Sequence, residues 1–249
     1  MSSTTAARLP LPEPLATRVW RGSDLGHVDV PVQRSGWAQL DAELPGGGWP
    51  CGSLTEILVP RMPLLEWRLL GPALGQALRG GASLVLVGPP AVPYLPGLQC
   101  QGIAAERLVW VRSREVTQSL WSAEQVLRAG SAAALLVWLP TCRAEALRRL
   151  HAHAQGGRGL LFAVRPEQSR SESSAAPLSV HAQPGSPWEL RVRLLKRRGP
   201  AHEGELRLAS IPGGLQAALP VAPAQGAVAL RSPGEPRHAV GRTAGLHVA

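Results

Sequence analysis

Cysteine, and the usual signals for metal or membrane binding, are scarce in this 249-residue sequence. The three cysteines, Cys51, Cys100 and Cys142, stand far apart and form no CxxC or Cys/His pair, which speaks against a disulfide framework or a structural zinc site. No apolar run approaches the ~18 residues that a membrane span needs, and the first residues lack the pattern of a secretory signal. We therefore expect a cytoplasmic protein in a reducing compartment, without membrane contact.

Lysine is almost absent as well, because Lys196 is the only one among 26 basic residues and all the others are arginines. Codon bias can exchange lysine for arginine, but it does not create the formal net charge of +9. A surplus of this size favours an acidic partner, either nucleic acid or an acidic protein surface. The hydrophobic content of 45% is enough for one sizeable core.

Short apolar runs alternate with helical patterns through the middle of the chain. The runs predict buried strands at residues 53–59, 83–87, 107–111, 134–139 and 159–164. The patterns between them predict helices that begin near residues 63, 94, 115 and 142, and a one-turn pair between Glu145 and Arg149 on the last. This alternation predicts an α/β fold with a mainly parallel sheet covered on both faces.

Two further runs, residues 188–195 and 205–209, alternate between apolar and polar side chains and predict a C-terminal antiparallel hairpin. The expected organisation is an N-terminal arm at 1–35, a core at 36–166 and a Ser/Pro/Ala-rich linker at 167–187 with a short strand at 178–180. The hairpin at 188–215 then completes the core, and a disordered tail follows at 216–249.

Tryptophan is plentiful, with eight residues against one phenylalanine and one tyrosine. Trp110, Trp121 and Trp138 fall on the expected core faces of strands and a helix. Trp49 in a glycine-rich turn and Trp20 in the arm could anchor an interface.

A phrase ahead of the first long strand carries a family resemblance. It consists of Ser35-Gly36-Trp37-Ala38-Gln39-Leu40-Asp41, then the turn Gly46-Gly47-Gly48-Trp49-Pro50-Cys51-Gly52, then the strand Leu54-Thr55-Glu56-Ile57. In this order, before a βαβ series, these residues resemble the ATPase core of RecA over residues 36 to about 164. The resemblance implies a RecA-like core of the P-loop NTPase type.

The resemblance also places an ATP-binding loop, G-x-x-x-x-G-K-[ST], directly after this strand. The aligned residues are Val59, Pro60, Arg61, Met62, Pro63, Leu64, Leu65 and Glu66. The glycines whose backbone N–H groups wrap phosphates are gone, Leu65 replaces the lysine, and Glu66 replaces the magnesium-binding hydroxyl. A carboxylate about 4 Å from a phosphate charge repels it by ~1–4 kcal/mol. The expected nucleotide site is therefore degenerate.

The acidic residues that the resemblance calls for are missing too. Trp138 or Leu139 stands where a metal-binding aspartate should end the strand, and the segment after Val87 is Gly-Pro-Pro where a catalytic glutamate should follow. His151 and His153 point different ways on a helix and make a poor metal pair. We expect a pseudo-ATPase with no catalytic residues, no metal and no cofactor; a nucleotide enzyme with an altered pocket is the alternative.

A narrower resemblance is to the ImuA family, translesion DNA synthesis accessory proteins that are also labelled SulA-like. The stretches that carry it lie between residues 36 and 212: Pro45-Gly46-Gly47-Gly48-Trp49-Pro50, Pro89-Pro90-Ala91-Val92-Pro93-Tyr94, Leu108-Val109-Trp110-Val111-Arg112, Leu120-Trp121-Ser122-Ala123-Glu124-Gln125 and Leu195-Lys196-Arg197-Arg198-Gly199. It implies a nucleoid-associated, DNA-damage-induced adaptor without catalytic activity. The implied partners are a Y-family-like polymerase homologue of the ImuB type, RecA and an error-prone replicative-type polymerase.

Five basic residues form the candidate site for a partner or DNA: Arg191, Arg193, Lys196, Arg197 and Arg198. Period-two alternation puts the first two on one strand face, and the other three follow at the strand end, where they could reach phosphates or an acidic surface. A solvated hairpin face is the alternative for these residues. For the whole chain, the alternatives are a cell-division inhibitor of the SulA type and a DNA-binding module with residual nucleotide binding.

Overall fold

The chain folds around one large β-sheet. The computed structural model describes residues 30–62, 65–186 and 188–211. The strands are β1 (Val32–Gln33), β2 (Trp49–Pro50), β3 (Leu54–Val59), β4 (Ser83–Val87), β5 (Leu108–Val111), β6 (Ala132–Trp138), β7 (Leu160–Pro166), β8 (Leu178–Pro184), β9 (Glu189–Lys196) and β10 (Leu206–Ala209). The helices are α1 (Ala38–Glu43), α2 (Leu65–Ala77), α3 (Leu95–Gln99), α4 (Val116–Ala129) and α5 (Ala144–Ala154).

The main sheet has eight strands in the order β10-β9-β8-β3-β7-β6-β4-β5. The six strands from β3 to β8 run parallel to one another. The last two join antiparallel, while β1 and β2 form a separate small sheet. The predicted α/β fold, with a mostly parallel central sheet and a C-terminal antiparallel hairpin, is confirmed.

Helices cover the sheet on two sides and create two apolar clusters. On β3, Ile57 and Val59 face the cluster built with α1, α2 and α3. Leu54, an odd number of residues from both, faces the cluster built with α4 and α5 on the other side of the sheet. Because strand side chains alternate between the two faces, a strand buried on both sides is mainly apolar, and its buried polar residues need partners. No helix in the described part of the chain is long and apolar enough to cross a membrane.

Helix α4 has the predicted apolar face, since Val116, Leu120 and Ala123 all pack into the second cluster. It ends at Gly130, whose φ of 63° is the left-handed conformation favoured at helix C-termini. The predicted pair of Glu145 with Arg149 is wrong. Arg149 Nε instead donates to Glu124 Oε1 on α4 at 3.1 Å, because the two helices pack side by side.

The strand predicted at residues 178–180 is longer than expected and lies next to the centre of the sheet. Strand β8 pairs with β3 on one side and with β9 on the other. Its Leu178, Val180 and Ala182 are buried, and polar side chains alternate with them. The short apolar–polar alternation is hard to recognise in a segment rich in serine, alanine and proline. Pairing with β3 and β9 stabilises it as a strand.

The tryptophans divide between core and surface. Trp138 is buried as predicted, and Trp110 packs against the first cluster beneath the Arg112 guanidinium, 4.4 Å from its ring centroid. The core prediction for Trp121 is wrong, because 64% of it is exposed. Trp49 is fully buried, with its ring edge-on to Phe162, so it is not an interface anchor. Trp20 lies outside the described residues, as do residues 1–29 and 212–249 as a whole.

The phrase from Ser35 to Asp41 fastens α1 to the rest of the core. Asp41 Oδ1 accepts a hydrogen bond from the Ser35 backbone N–H at 2.8 Å. Gly36 has a φ of +87°, and a Cβ there would lie only 2.4 Å from the Cβ of Pro72. This phrase therefore has a structural role, in which glycine permits both the backbone conformation and the close approach to α2.

Candidate functional site at the β3–α2 junction and the hairpin

The junction between β3 and α2 is closed by a buried side-chain hydrogen bond. Glu66, in the first turn of α2, is fully buried, and its Oε1 accepts a hydrogen bond from the Trp138 indole Nε1 at 2.9 Å. Trp138 is the last residue of β6 and is 2% exposed. The Trp67 ring lies against it, with a centroid separation of 6.0 Å. Side chains from two elements thus fill the space between the ends of β3 and β6.

The other residues of the predicted loop surround this hydrogen bond. Val59 and Leu65 are buried, Pro60 and Met62 are half-buried, and Arg61 is exposed, while Pro63 and Leu64 lie outside the described residues. A carboxylate in the first turn of a helix is stabilised by the helix dipole, the same property that lets helix N-termini bind phosphate. Glu66 therefore places a carboxyl group of the chain itself at the position that this property favours for an anion.

A second buried network joins β3, β7 and β8. Arg165 is fully buried, and its Nη1 donates to Glu56 Oε1 at 2.7 Å, while its Nη2 donates to Glu172 Oε2 at 2.6 Å. The other Glu56 oxygen, Oε2, accepts from Ser179 Oγ at 2.9 Å. Burial alone lowers the pKa of the Arg165 guanidinium, but its bonds to Glu56 and Glu172 outweigh burial and hold the pKa above its ordinary value. Sequence reasoning missed this network, although its signal was present as charged residues inside apolar strands.

Two of the three cysteines, Cys51 and Cys142, are partly buried, while Cys100 is exposed. Burial raises the pKa of the Cys51 and Cys142 thiols, which keeps both protonated near neutral pH and unreactive. Within the described ranges, no group of three or more His, Cys, Asp or Glu side chains is placed to hold a metal ion.

The hairpin arginines share a face as predicted, but acidic residues accompany them. Arg193 Nε donates to Glu205 Oε2 at 2.9 Å, and Arg191 Nη1 lies 3.9 Å from the other oxygen of Glu205. Arg207 on β10 pairs with Glu189 at 3.6 Å. The charged side chains on this face are therefore of mixed sign, and its ion pairs join three arginines to two glutamates.

The three basic residues at the end of β9 do not form one surface. Lys196 Nζ donates to the Ser174 carbonyl at 3.0 Å. Arg197 is largely buried and donates to Glu43 Oε2 at 2.9 Å, which ties the hairpin loop to the end of α1. Arg198 points to a cavity at the opposite end of the sheet from Glu66. Arg197 thus stabilises the fold, and only its two neighbours remain accessible to a partner.

Removing the charge of Glu43 should lower stability in a pH-dependent way. The hydrogen bond from Arg197, with the charges of His202 and Arg197, outweighs desolvation and holds the pKa of Glu43 below its ordinary value of 4.5. A depressed pKa contributes stability that is complete above the unfolded value and is lost as pH falls through the folded value. We expect Glu43→Gln to cost up to ~1 kcal/mol at pH 7, the usual ceiling for a partly exposed pair.

Urea unfolding at neutral and acidic pH measures this effect, and the difference from wild type should shrink below the ordinary pKa of Glu43. The matched control is Glu145→Gln, because Glu145 is exposed on the first turn of α5. A cost for Glu43→Gln that stays constant from neutral to acidic pH would contradict the ion-pair explanation.

The chain is thus an α/β protein with a mostly parallel sheet, in which the buried Glu66 and Trp138 side chains fill the junction between β3 and α2. No family model matches the chain. Among curated proteins, "Cell division inhibitor SulA" of Edwardsiella piscicida is 28% identical over 126 residues, which cover 51% of this chain and 74% of that protein. The SulA of Photorhabdus laumondii is 29% identical over 120 residues, 46% of this chain and 68% of that protein.

"Protein ImuA" of Caulobacter vibrioides (strain NA1000 / CB15N) is 29% identical over 149 residues, which cover 57% of this chain and 61% of that protein. The chain is therefore similar to both ImuA and SulA proteins over about half of its length. The resemblance predicted from the sequence is confirmed at this level.

Proposed function

We propose that this chain is a non-catalytic, RecA-like accessory protein of DNA-damage-induced, error-prone translesion synthesis. In this role it is an adaptor for a Y-family-like polymerase homologue and for RecA, with an error-prone replicative-type polymerase as a further partner. The similarity to "Protein ImuA" and to SulA proteins supports the context of the SOS response to DNA damage. The closed β3–α2 junction supports the absence of catalysis.

The observation that carries the proposal is the hydrogen bond between Glu66 and Trp138, 2.9 Å long and buried. A RecA-type ATPase holds its phosphates at the junction after the first core strand, with free backbone N–H groups and a lysine. A phosphate here would have to break this bond and displace the buried Glu66 side chain. The strand order supports the same comparison, because β3 and β6 lie on either side of β7, close enough for Glu66 after β3 to reach Trp138 at the end of β6.

We expect millimolar MgATP to leave the thermal unfolding midpoint unchanged. A ligand present at 100 times its Kd would stabilise the fold by ~2.7 kcal/mol, which is easily seen as a shift of the midpoint. Thermal unfolding and equilibrium dialysis with labelled ATP make the measurement, with RecA as the positive control in the same buffer. Saturable, magnesium-dependent retention of ATP, together with turnover, would refute the proposed pseudo-ATPase.

The adaptor role is tested by retention of the Y-family-like polymerase homologue on the immobilised full chain. We expect the double substitution of Arg191 and Arg193 by glutamate to weaken retention about tenfold, ~1.4 kcal/mol, because it reverses two charges on the uncovered hairpin face. Arg197 is left intact because it holds Glu43. The control is Arg148→Glu on α5, which makes the same charge change at an exposed arginine. Equal retention by the double variant would remove the hairpin face from the interface.

The similarity to SulA, which covers 74% of the protein from Edwardsiella piscicida, favours a cell-division inhibitor as the second candidate. Overexpression in a bacterial host would then produce filamentous cells, and the purified chain would bind a tubulin-like division protein. Cells of normal length, in a strain where damage-induced mutagenesis depends on this chain, would decide for the adaptor.

A further inference from the structure

A cavity of about 480 Å³ opens where the parallel strands begin, at the opposite end of the sheet from Glu66. Residues 51–53 lead into β3 on one wall, Leu178 begins β8 on another, and Gly157 and Arg158 lead into β7 on a third. We call it the strand-start cavity. None of the chemistry discussed for the β3–α2 junction reaches this cavity.

The walls of the strand-start cavity are mostly apolar, and several of their backbone amides are already hydrogen-bonded. Four prolines line it, Pro31, Pro45, Pro50 and Pro177, and proline has no backbone N–H to offer a ligand. Other wall amides are engaged, since Cys51 N donates to Pro31 O at 2.8 Å, Gly52 N to Gly159 O at 2.9 Å and Gly157 N to Ala154 O at 3.0 Å.

Gly52 holds one wall in place. It has a φ of +61°, and a Cβ there would lie 2.4 Å from the carbonyl oxygen of Gly157. Glycine therefore lets the approach to β3 pack directly against the loop that follows α5. The cavity is bounded by backbone in close contact, which makes it a preformed site.

The charge of the strand-start cavity has one sign. Arg158, Arg198 and His151 line it, and no aspartate or glutamate does so among the described residues. Neither arginine makes an ion pair or a side-chain hydrogen bond within residues 30–62, 65–186 and 188–211. His151 Nδ1 accepts the Leu54 backbone N–H at 3.2 Å, which leaves Nε2 to carry the ring proton and act as a donor.

Burial, and then the charge of Arg198, lower the pKa of His151 below its ordinary 6.5, so the ring is neutral at pH 7. The charged donors in the cavity are thus two guanidinium groups, and the neutral His151 imidazole, the Ser53 hydroxyl and the Gln155 amide add uncharged ones. Guanidinium groups bind carboxylates through paired, charge-assisted hydrogen bonds.

We infer that the strand-start cavity binds a peptide segment of a partner protein in which an aspartate or glutamate lies beside apolar residues. The carboxylate meets Arg158 and Arg198, and its apolar neighbours cover the proline walls. A phosphate fits less well, because phosphate sites rely on several free backbone N–H groups, and here four wall positions are prolines and the Cys51, Gly52 and Gly157 amides are already hydrogen-bonded. The inference rests on the proposed adaptor function, to which it gives a docking site and a recognition chemistry.

A blocked probe peptide, acetyl-Leu-Glu-Leu-amide, tests the site directly on the full chain. We expect saturable shifts of the His151 ring protons and the Leu54 amide signal in NMR titrations. The affinity should fall at least tenfold for the matching glutamine peptide and for the double variant Arg158→Gln/Arg198→Gln. Arg148→Gln is the control, and all variants are checked for an unchanged urea midpoint.

Two results of this titration would overturn the inference. One is equal affinity for the glutamate and glutamine peptides. The other is displacement of the peptide by inorganic phosphate at equal concentration, which would make the cavity a phosphate site.

Retention of the polymerase homologue separates this inference from the function on which it rests. Retention by wild type with about tenfold loss in the Arg158→Gln/Arg198→Gln variant supports both. Equal retention by wild type and this variant overturns the cavity as the docking site and leaves the adaptor function standing. Probe binding without any retention of the homologue by wild type supports the cavity and counts against the adaptor function alone.

Discussion

Replacing Arg165 by methionine lowers the free energy of unfolding by about 3–5 kcal/mol, the usual cost of breaking a buried ion pair from one side. The guanidinium is fully buried, and the Glu56 carboxylate that it contacts at 2.7 Å is 2% exposed. Once the arginine is gone, Glu56 keeps the hydroxyl of Ser179 as a donor but loses its only positive partner among the described residues. The Glu56 carboxylate then remains buried in the sheet without a positive partner, and this unpaired charge is the reason for the large loss of stability.

The size of this effect depends on the partner that is left behind. Glu172 also contacts Arg165, but it is about half exposed and can turn to water. We therefore expect the double substitution Arg165→Met/Glu56→Leu to recover much of the loss, because an apolar pair can replace a buried ion pair at little cost.

Urea unfolding with an unchanged slope gives these free energies, and a double-mutant cycle isolates the pair. Arg148→Met, a matched change at an exposed arginine, should stay within about 0.5 kcal/mol of wild type. A cost below about 1 kcal/mol for Arg165→Met, or strict additivity in the cycle, would show that the network contributes little.

Replacing Glu66 by leucine is expected to cost about 1–3 kcal/mol, the penalty for leaving a buried donor without its acceptor. Leucine has a similar volume, so the Trp138 indole N–H loses its 2.9 Å hydrogen bond without a large cavity forming. Glu66→Gln keeps a carbonyl oxygen as an acceptor and should cost less. The graded series separates loss of the hydrogen bond from loss of packing.

Trp138→Phe removes the other side of the same bond, and the double variant should cost less than the sum of the two single changes. Thermal and urea unfolding measure the series. If Glu66→Leu proved as stable as wild type, the junction would not depend on this hydrogen bond.

The sequence predicts the sheet well because its strands are apolar on both faces. The runs that became β3, β4, β6 and β7 have no other stable placement than between two helical layers. It predicts β8 poorly, since Ser179, His181 and Gln183 alternate with only three buried apolar residues. The neighbours β3 and β9, distant in the chain, decide that this weak pattern becomes a strand.

The candidate sites differ in how far the sequence can go. The sequence shows Leu65 and Glu66 where the RecA resemblance expects a lysine and a hydroxyl. It does not show the partner of Glu66, because Trp138 lies 72 positions away in the chain. The three consecutive basic residues 196–198 predict one basic patch. In the structure they lie at a strand end and a turn, and their side chains contact three different parts of the chain. The spacing of residues in the sequence does not predict these different contacts.

The carboxylate that α2 holds at its own N-terminus also bears on timing. In motor-like ATPases, hydrolysis of the nucleotide triggers release of the partner and so sets the lifetime of the complex. Under the proposed function, a chain with Glu66 at this helix N-terminus has no hydrolysis step to set that lifetime. Its complexes would form and dissolve by mass action alone, and the duration of the response would be set by how fast the cell makes and destroys the protein.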